Sequence, residues 1–173
     1  MEQPLASIAL VDYDPAWPAQ FERIAARLRA ALGEAALAIE HVGSTSVPGL
    51  AAKPVIDVNL AVADTAHEAG YAPQLEAAGF AFALREPDWF GHRLFKGQAP
   101  AVNLHVFPRD CPELQRMRVF RDWLRAQPAD RERYERTKRA LAQQAWRSTQ
   151  DYADAKSSVV GEILVRATAS NGR

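Results

Sequence analysis

The sequence has little cysteine, no excess of charge of either sign and no long apolar run, and each absence excludes a class of protein. The single cysteine, Cys111, cannot form an internal disulfide and sits in no metal-binding spacing, which is typical of a reducing compartment. The 21 basic and 21 acidic residues cancel, so no bulk positive field would attract a long nucleic acid. No stretch approaches the roughly 20 apolar residues of a membrane span, and the first ten residues lack the features of a signal peptide. We therefore expect a cytoplasmic protein without a membrane partner.

The length and the apolar content predict one domain over residues 1–173, since 48% of the residues are hydrophobic. Residues 7–11 have the pattern of a short strand or an extended arm. Apolar residues at helical spacing then predict a helix over residues 15–32. Asp14 is expected as its N-cap and Pro15 as its first residue, because both are favoured there.

The rest of the chain alternates strand and helix patterns and then becomes helical. Period-two alternation and turn residues predict strands at 36–42, 55–63, 80–85, 93–96 and 101–107. A helix is expected at about 65–78, broken or loosened near Gly70. The last two strands read as a hairpin. Apolar residues at helical spacing from about 112 to 168 predict three amphipathic helices, the third capped by Ser148 and Thr149.

A loop rich in glycine and hydroxyl residues joins the first two predicted strands, and the chain is organised around it. Glycine allows backbone angles that other residues resist, and hydroxyls beside exposed N–H groups suit an oxyanion or a phosphate. Because Lys53 precedes Pro54, it is pushed toward an extended conformation, so the loop should enter the second strand directly. The loop residues expected to bind phosphate are Gly43, Ser44, Thr45, Ser46 and Lys53.

Polar residues occupy one face of two strands that ought to be apolar. Asp57 and Asn59 share a face of the second strand, and Asn103 and His105 share a face of the last. If these strands are close in the sheet, the four side chains converge. The alternative to a functional site is a sheet with one solvent-exposed face, which is common in antiparallel arrangements. Against it, Asp, Asn and His are weak strand formers but good ligands, so the pattern favours a site.

Cations lie on or beside the apolar stripes of the C-terminal helices. Arg121, Lys138 and Lys156 each follow an apolar or aromatic residue by four positions and precede another by three. The alternative is that their stems cover the core while their charges reach water. We expect instead that they line the rim of the polar cleft and neutralise a di- or triphosphate. Arg93, in the hairpin, is a further candidate phosphate ligand.

Other polar and aromatic residues give weaker signals. His41, beside the loop, is more typical of a local hydrogen-bonding group than of a catalyst. His92 lies in a turn-rich segment and is a minor candidate for a ligand site. Trp89 and Phe90 in the same segment would either stack on a base or cover the core.

The run from His41 to Val58 strongly resembles the signature of the GrpB family, and the resemblance extends over nearly the whole chain. It also includes the start 11–18, the segment 103–106, the helix 120–125, and Tyr152 with Lys156. The resemblance implies the DNA polymerase β-like nucleotidyltransferase superfamily. Its expected fold is α+β, with a mixed, largely antiparallel sheet, an N-terminal helix and a C-terminal helical segment packed on the sheet.

The resemblance also implies an activity, which one residue puts in question. Gly43-Ser44 and Asp57 match the superfamily pattern, but Asn59 stands where a second carboxylate is expected. Nucleotidyl transfer in such folds uses divalent ions held by carboxylates. The expected metal ligands are Asp57, Asn59 and His105, with Mg²⁺ or Mn²⁺ as the ion, and His105 as a ligand or general base.

Two main functions are therefore expected from the sequence. The first is transfer of a nucleoside monophosphate from a triphosphate to a small acceptor or an RNA end, with Asp57 and His105 as catalytic residues. The second is a non-catalytic module that binds a nucleotide or a coenzyme A-like ligand at a degenerate metal site. A weaker third possibility is a cleft for another anionic metabolite.

Overall fold

The computed structural model describes residues 7–170, and the ends of the expected domain, 1–6 and 171–173, lie outside the described residues. Five strands and six helices lie within the described part. The strands are β1 Ala38–Val42, β2 Ile56–Val62, β3 Ala81–Glu86, β4 His92–Gly97 and β5 Val102–Pro108. The helices are α1 Trp17–Leu32, α2 Ala72–Ala77, α3 Pro112–Ala126, α4 Pro128–Ala142, α5 Thr149–Ala155 and α6 Ser157–Ser170.

The strands form one sheet in the order β1-β2-β5-β4-β3. Strand β2 pairs parallel to β5, and the other three pairings are antiparallel. This confirms an α+β fold with a mixed, largely antiparallel sheet. The parallel pair brings the polar positions of β2 directly beside those of β5, because residue 57 pairs with residue 103 and residue 59 with residue 105.

One face of the sheet packs on helices α1 and α2 to form the main core. The inward residues of α1 include Ile24 and Leu28, which are 1% and 0% exposed. They meet apolar strand residues such as Val58 and Leu104, both fully buried. Burial of such side chains contributes about 1.5–3 kcal/mol each to the stability of the fold.

The C-terminal helices pack against the loop between β1 and β2 as well as against the sheet. A second cluster of buried apolar residues joins the loop to helices α3, α4 and α6. Its loop members are Val47 and Leu50, which are 1% and 0% exposed. The predicted packing of a helical segment on the strands is confirmed, and it fixes the loop from outside the sheet.

Helix boundaries differ from the predictions in three places. Helix α1 begins at Trp17, because Pro18 takes a first-turn position and the Asp14 carboxylate accepts the Ala16 N–H at 2.8 Å in the preceding turn. The helix expected at 65–78 is divided at Gly70 as predicted, but its first part is only a 3₁₀ turn at Glu68–Gly70, and the α-helix α2 begins at Ala72. The third C-terminal helix has its N-cap at Ser148 as predicted, but it is divided at Lys156 into α5 and α6.

Candidate functional site: a lysine-lined pocket

The loop from β1 approaches β2 so closely that only glycine fits at its start. Gly43 has φ +72°, and a Cβ built there would lie 2.6 Å from Oδ2 of Asp57. The backbone N–H groups of Ser46 and Val47 bond to the carbonyls of Gly43 and Ser44 at 3.1 and 3.2 Å, which makes a tight turn. Ser44 and the strand carboxylate are thereby held on the same side of the sheet.

Helix α4 fixes both ends of the loop with one buried ammonium. Lys138, which is 1% exposed, donates from Nζ to the Ser44 hydroxyl at 2.9 Å and to the Ala51 carbonyl. On the same helix, the Glu135 carboxylate accepts the Ala51 N–H at 3.0 Å. The Lys138 ammonium also lies 5.0 Å from the ring centroid of Tyr134. The C-terminal helices therefore determine where the Ser44 hydroxyl points.

A cavity of about 200 Å³ opens beside this loop, and we call it the lysine pocket. Lys53 and Lys156 line it, and their ammonium groups lie 5.7 and 4.6 Å from the ring centroid of Tyr152. Lys138 does not line the pocket itself, but its ammonium donates a hydrogen bond to Ser44, which does. The wall of the pocket includes Ser44, Lys53, Asp57, Asn103, Tyr152 and Lys156.

The lysines of the pocket are too crowded and too buried to hold their protons with ordinary affinity. Burial, followed by the charge of Lys156, lowers the pKa of Lys138 to about 7. Burial and the charge of Lys53 lower the pKa of Lys156 to about 8, against the opposing effect of Asp57. Burial also lowers the pKa of Lys53, and the charge of Lys96 adds to this effect. A bound anion would restore all three values toward normal.

One wall residue carries a buried polar atom without a partner. The hydroxyl of Tyr152 makes no hydrogen bond to any of the described residues, although the side chain is only 1% exposed. Burial raises the pKa of this phenol. A buried hydroxyl without a partner costs roughly 1–3 kcal/mol of stability.

The polar residues of β2 and β5 lie on one face of the sheet, as the alternation predicts. The Asp57 carboxylate accepts a hydrogen bond from Nδ2 of Asn103 at 3.3 Å, and the same Oδ1 lies 3.3 Å from Nε2 of His105. The side chains of Asp57 and His105 are 30% and 20% exposed. Solvent can therefore reach this pair.

Asn59 shares that face but does not reach the lysine pocket. Its side chain is 1% exposed, and its Nδ2 donates to the sulfur of Met117 on α3 at 3.2 Å. Its carbonyl Oδ1 is buried and has no hydrogen-bond partner among the described residues. Within residues 7–170 no group of three or more His, Cys, Asp or Glu side chains is arranged to hold a metal ion.

Two predicted phosphate ligands, Arg93 and Arg121, lie outside the pocket. The neighbours of Arg93 on β4 show that it faces the helix α1 side of the sheet, where it donates to Glu68 at 2.7 Å. Arg121 donates to the His41 carbonyl at 3.1 Å and so supports the end of β1. It lines a different cavity on the far side of the loop, together with Ser46.

Two more predicted residues have structural contacts. His41 is buried and stacks on Phe21 at 4.8 Å, and its Nε2 lies 2.9 Å from the hydroxyl of Thr45. Burial, then the charge of Arg125, lowers the pKa of His41 to about 4. Thr45 lines the lysine pocket but is itself 1% exposed.

Lysine usage is a signal that the sequence predictions missed. The chain has four lysines among its 21 basic residues, at 53, 96, 138 and 156. Lys96 is the cross-strand neighbour of Asn103, so its side chain lies on the face of the sheet that carries Asp57. All four lysines therefore surround one site, while arginine supplies the positive charge elsewhere. The low lysine count was visible in the composition.

The fold and the pocket define an α+β domain with a lysine-lined cavity beside the loop between β1 and β2. The family described as GrpB protein matches residues 7–166, so the chain belongs to the GrpB family. A crystal structure of the conserved protein GrpB from Enterococcus faecalis has a TM-score of 0.80 and 31% identity, covering 95% of this chain and 100% of that one.

Curated relatives extend the comparison. UPF0157 protein BH1888 of Halalkalibacterium halodurans is 58% identical over 165 residues, which cover 95% of this chain and 85% of that protein. A dephospho-CoA kinase of Mycolicibacterium paratuberculosis is 36% identical over 167 residues, covering 81% of this chain but 41% of the kinase. Among residues 7–170, no helix has the length and apolar character needed to cross a bilayer.

Proposed function

We propose that the lysine pocket binds the phosphate groups of a nucleotide. The observation that carries this proposal is the convergence of Lys53, Lys138 and Lys156 around one wall that has a single carboxylate, Asp57. Ammonium groups that are not matched by carboxylates favour a polyanion. The lowered pKa values of these lysines also favour an anionic ligand, because its negative charge would offset the cost of burying the ammonium groups.

The size of the pocket indicates which part of a nucleotide it holds. A cavity of about 200 Å³ is smaller than the roughly 300–1,000 Å³ of pockets that enclose a whole small molecule. It suits phosphate groups, with the nucleoside outside the mouth. The hydroxyl of Ser44 would supply a hydrogen bond to a phosphate oxygen.

The reaction that this binding would serve is nucleotidyl transfer, as in the DNA polymerase β-like superfamily. An acceptor hydroxyl would attack the α-phosphorus, forming one P–O bond while the bond to pyrophosphate breaks. His105, 3.3 Å from Asp57, would take the proton of that hydroxyl. Lys53 and Lys156 would hold the charge of the departing phosphates.

The chemistry of the donors fits a divalent cation beside Asp57. This carboxylate and the imidazole of His105 would hold it, with phosphate oxygens as further ligands, and His105 would then act as a ligand in place of a base. A mixed oxygen and nitrogen set suits Mn²⁺ better than Mg²⁺. The ion, when bound, would offset charge on the phosphates.

A second candidate is a module that binds a coenzyme A-like ligand without catalysis. It is favoured by the similarity to proteins named dephospho-CoA kinase, which match this chain over 41% of the length of one of them. The same lysines would hold the phosphates of that ligand, and Asp57 would then not need a metal.

Calorimetric titration with ATP and with coenzyme A, each with and without EDTA, tests these proposals. Lys156→Gln should weaken ATP binding by about 10-fold or more, because a charged hydrogen bond is lost. Arg136→Gln, an exposed change on helix α4, should leave it unchanged. Failure of both ligands to bind would reject the binding proposal. Release of pyrophosphate that persists in Asp57→Ala would reject the assigned transfer mechanism.

A further inference from the structure

A second cavity, of about 320 Å³, lies on the far side of the loop from the lysine pocket. Helices α1 and α3, the edge strand β1 and the loop residues Ser46 and Pro48 line it. Arg121 and Arg125, one turn apart on α3, supply its cations, and we call it the arginine cleft. Its volume falls within the roughly 300–1,000 Å³ of pockets that hold a whole small molecule, so it can enclose more of a ligand than the lysine pocket can.

Both arginines are held by backbone carbonyls and still have N–H groups to donate. Arg121 donates from Nη1 to the His41 carbonyl at 3.1 Å, and Arg125 donates from Nε to the Ser46 carbonyl at 2.9 Å. The Asp122 carboxylate accepts the Nε–H of Arg121 at 2.8 Å but lies 3.9 Å from Nη1 of Arg125. A guanidinium has five N–H hydrogens. Nη2 of Arg121 and both Nη atoms of Arg125 therefore have no hydrogen-bond partner among the described residues.

The positive charge of the two arginines is only partly balanced. Burial, then the charge of Arg121, lowers the pKa of Arg125, against the opposing charge of Asp122. Two carboxylates line the cleft, but Glu40 is paired with an arginine outside it, and Glu22 is exposed on α1. Neighbouring guanidinium groups with free N–H groups favour a carboxylate or a phosphate, which they can bind in a bidentate fork.

Another part of the cleft is aromatic and uncharged. The rings of Phe21 and His41 stack with centroids 4.8 Å apart and planes 11° from parallel, and both residues line the cleft. Burial, then the charge of Arg125, lowers the pKa of His41 to about 4, so this imidazole is neutral at pH 7. Tyr13 and Ile39 also line the cleft. A ring on the ligand can pack against these side chains, because aromatic and apolar surfaces favour each other.

We infer that the arginine cleft binds a small molecule that joins one carboxylate or phosphate group to a flat or apolar ring. The guanidinium groups of Arg121 and Arg125 would hold the anionic group, and the stacked rings of Phe21 and His41 would contact the ligand ring. Within the described part of the chain, the arginine cleft and the lysine pocket share no wall residue. The inference therefore does not depend on the proposed binding of a nucleotide.

NMR titration with two probes, phenyl phosphate and benzoate, tests the cleft and distinguishes the two anionic groups. Binding of either probe should shift the backbone amide signals of His41 and Ser46 and the Nε–H signals of Arg121 and Arg125, because these residues line the cleft. Benzyl alcohol keeps the ring without the charge, and inorganic phosphate keeps the charge without the ring. Each should bind about 10-fold or more weakly, since it lacks one of the two contacts.

Two substitutions with opposite expected effects locate the binding. Arg125→Gln should weaken binding of the probes by about 10-fold or more, because a charged hydrogen bond is lost. Glu22→Gln removes an exposed negative charge beside the cleft and should strengthen binding by up to about 5-fold. Arg116→Gln, a half-exposed change on the same helix as Arg125 but outside the cleft, should leave the affinity unchanged. If Arg125→Gln, which loses the bond to Ser46, fails to fold, Glu22→Gln still decides the test.

The outcomes separate this inference from the proposed function. Lys156→Gln, a change in the lysine pocket, should leave the shifts at the arginine cleft intact. Absence of binding by both probes, or shifts confined to Ser44 and Lys156, would overturn the inference. An affinity that neither Arg125→Gln nor Glu22→Gln changes would overturn it as well. Binding of a probe at the cleft of a protein that does not bind ATP would support the inference and reject the proposed function alone.

Discussion

The ammonium of Lys138 lies 2.9 Å from the hydroxyl of Ser44, although 94 positions separate the two residues in the chain. The same ammonium bonds to the carbonyl of Ala51, at the other end of the loop. A single buried charge from helix α4 thus closes the loop into a fixed shape. The helical C-terminal part is needed to build the pocket and does more than cover the sheet.

This buried charge should make stability depend on pH. The pKa of Lys138 falls from an ordinary 10.5 to about 7 on folding, so the unfolded chain binds the proton more tightly. The resulting destabilisation is complete below pH 7 and is relieved as the pH rises toward 10.5. The variant Lys138→Met has no titrating amine at this position, so its stability should lack this dependence on pH. Urea unfolding from pH 7 to 9 should show a wild-type slope steeper than that of the variant by up to about 1.4 kcal/mol per pH unit.

The control for that measurement is Arg136→Met, an exposed residue of the same helix that should follow the wild-type curve. Parallel curves for wild-type protein and Lys138→Met would mean that the buried amine keeps an ordinary proton affinity.

Anion binding should take up protons. The pKa of Lys156 is lowered to about 8, and a bound phosphate would raise it again. ATP affinity should therefore decrease as the pH rises from 7 to 9. Calorimetry at pH 8 in buffers of different ionisation enthalpy should show proton uptake on binding, and Lys156→Gln should reduce this uptake. Proton release, or none in the wild-type protein, would contradict the arrangement.

Two glycines of the loop allow a matched test of the close approach to Asp57. Gly43 and Gly49 both have positive φ, +72° and +81°, but a Cβ at Gly49 has nothing within 4 Å. Gly49→Ala should cost roughly 1–3 kcal/mol of backbone strain alone. Gly43→Ala should cost more and also weaken ATP binding, because the new methyl group displaces the carboxylate. Equal effects of the two changes in chemical denaturation and titration would show that the approach to Asp57 is unimportant.

The small number of lysines makes chemical labelling specific. Pyridoxal phosphate followed by borohydride should modify Lys156 and Lys53, whose lowered pKa values leave more neutral amine at pH 8. ATP should protect both. Lys138, which is 1% exposed, should resist labelling, and the exposed Lys96 serves as the less protected reference. Peptide mass spectrometry reads the result, and labelling that ATP does not change would argue against a phosphate site.

Much of the fold was predictable because local patterns determine it. Alternation placed Asp57, Asn103 and His105 on one face, and the parallel pairing of β2 with β5 makes them neighbours. The exact first residue of α1 was not predictable, because Pro15 and Pro18 are both suited to the first turn of a helix and only Pro18 occupies it. Pairing of distant strands is set by the whole sheet and not by either strand alone.

The cations show where sequence spacing is insufficient. Arg121, Lys138 and Lys156 have the same spacing relative to their apolar neighbours, yet Arg121 supports the backbone of His41 while the two lysines lie at the pocket. Helix α3 approaches the loop from the side opposite the pocket, and no local pattern encodes that placement. For the same reason the burial of Asn59 beneath Met117 required the structure.

The confinement of lysine to the surroundings of one cavity has a consequence for chemical modification of the chain. Acetylation of a lysine in this chain at any of its four positions would remove positive charge at or beside that cavity. Lys138 is too enclosed for an enzyme to reach, so Lys53, Lys96 and Lys156 are the accessible positions. Acylation would therefore change the charge around this cavity and leave the other basic residues, all arginines, unchanged.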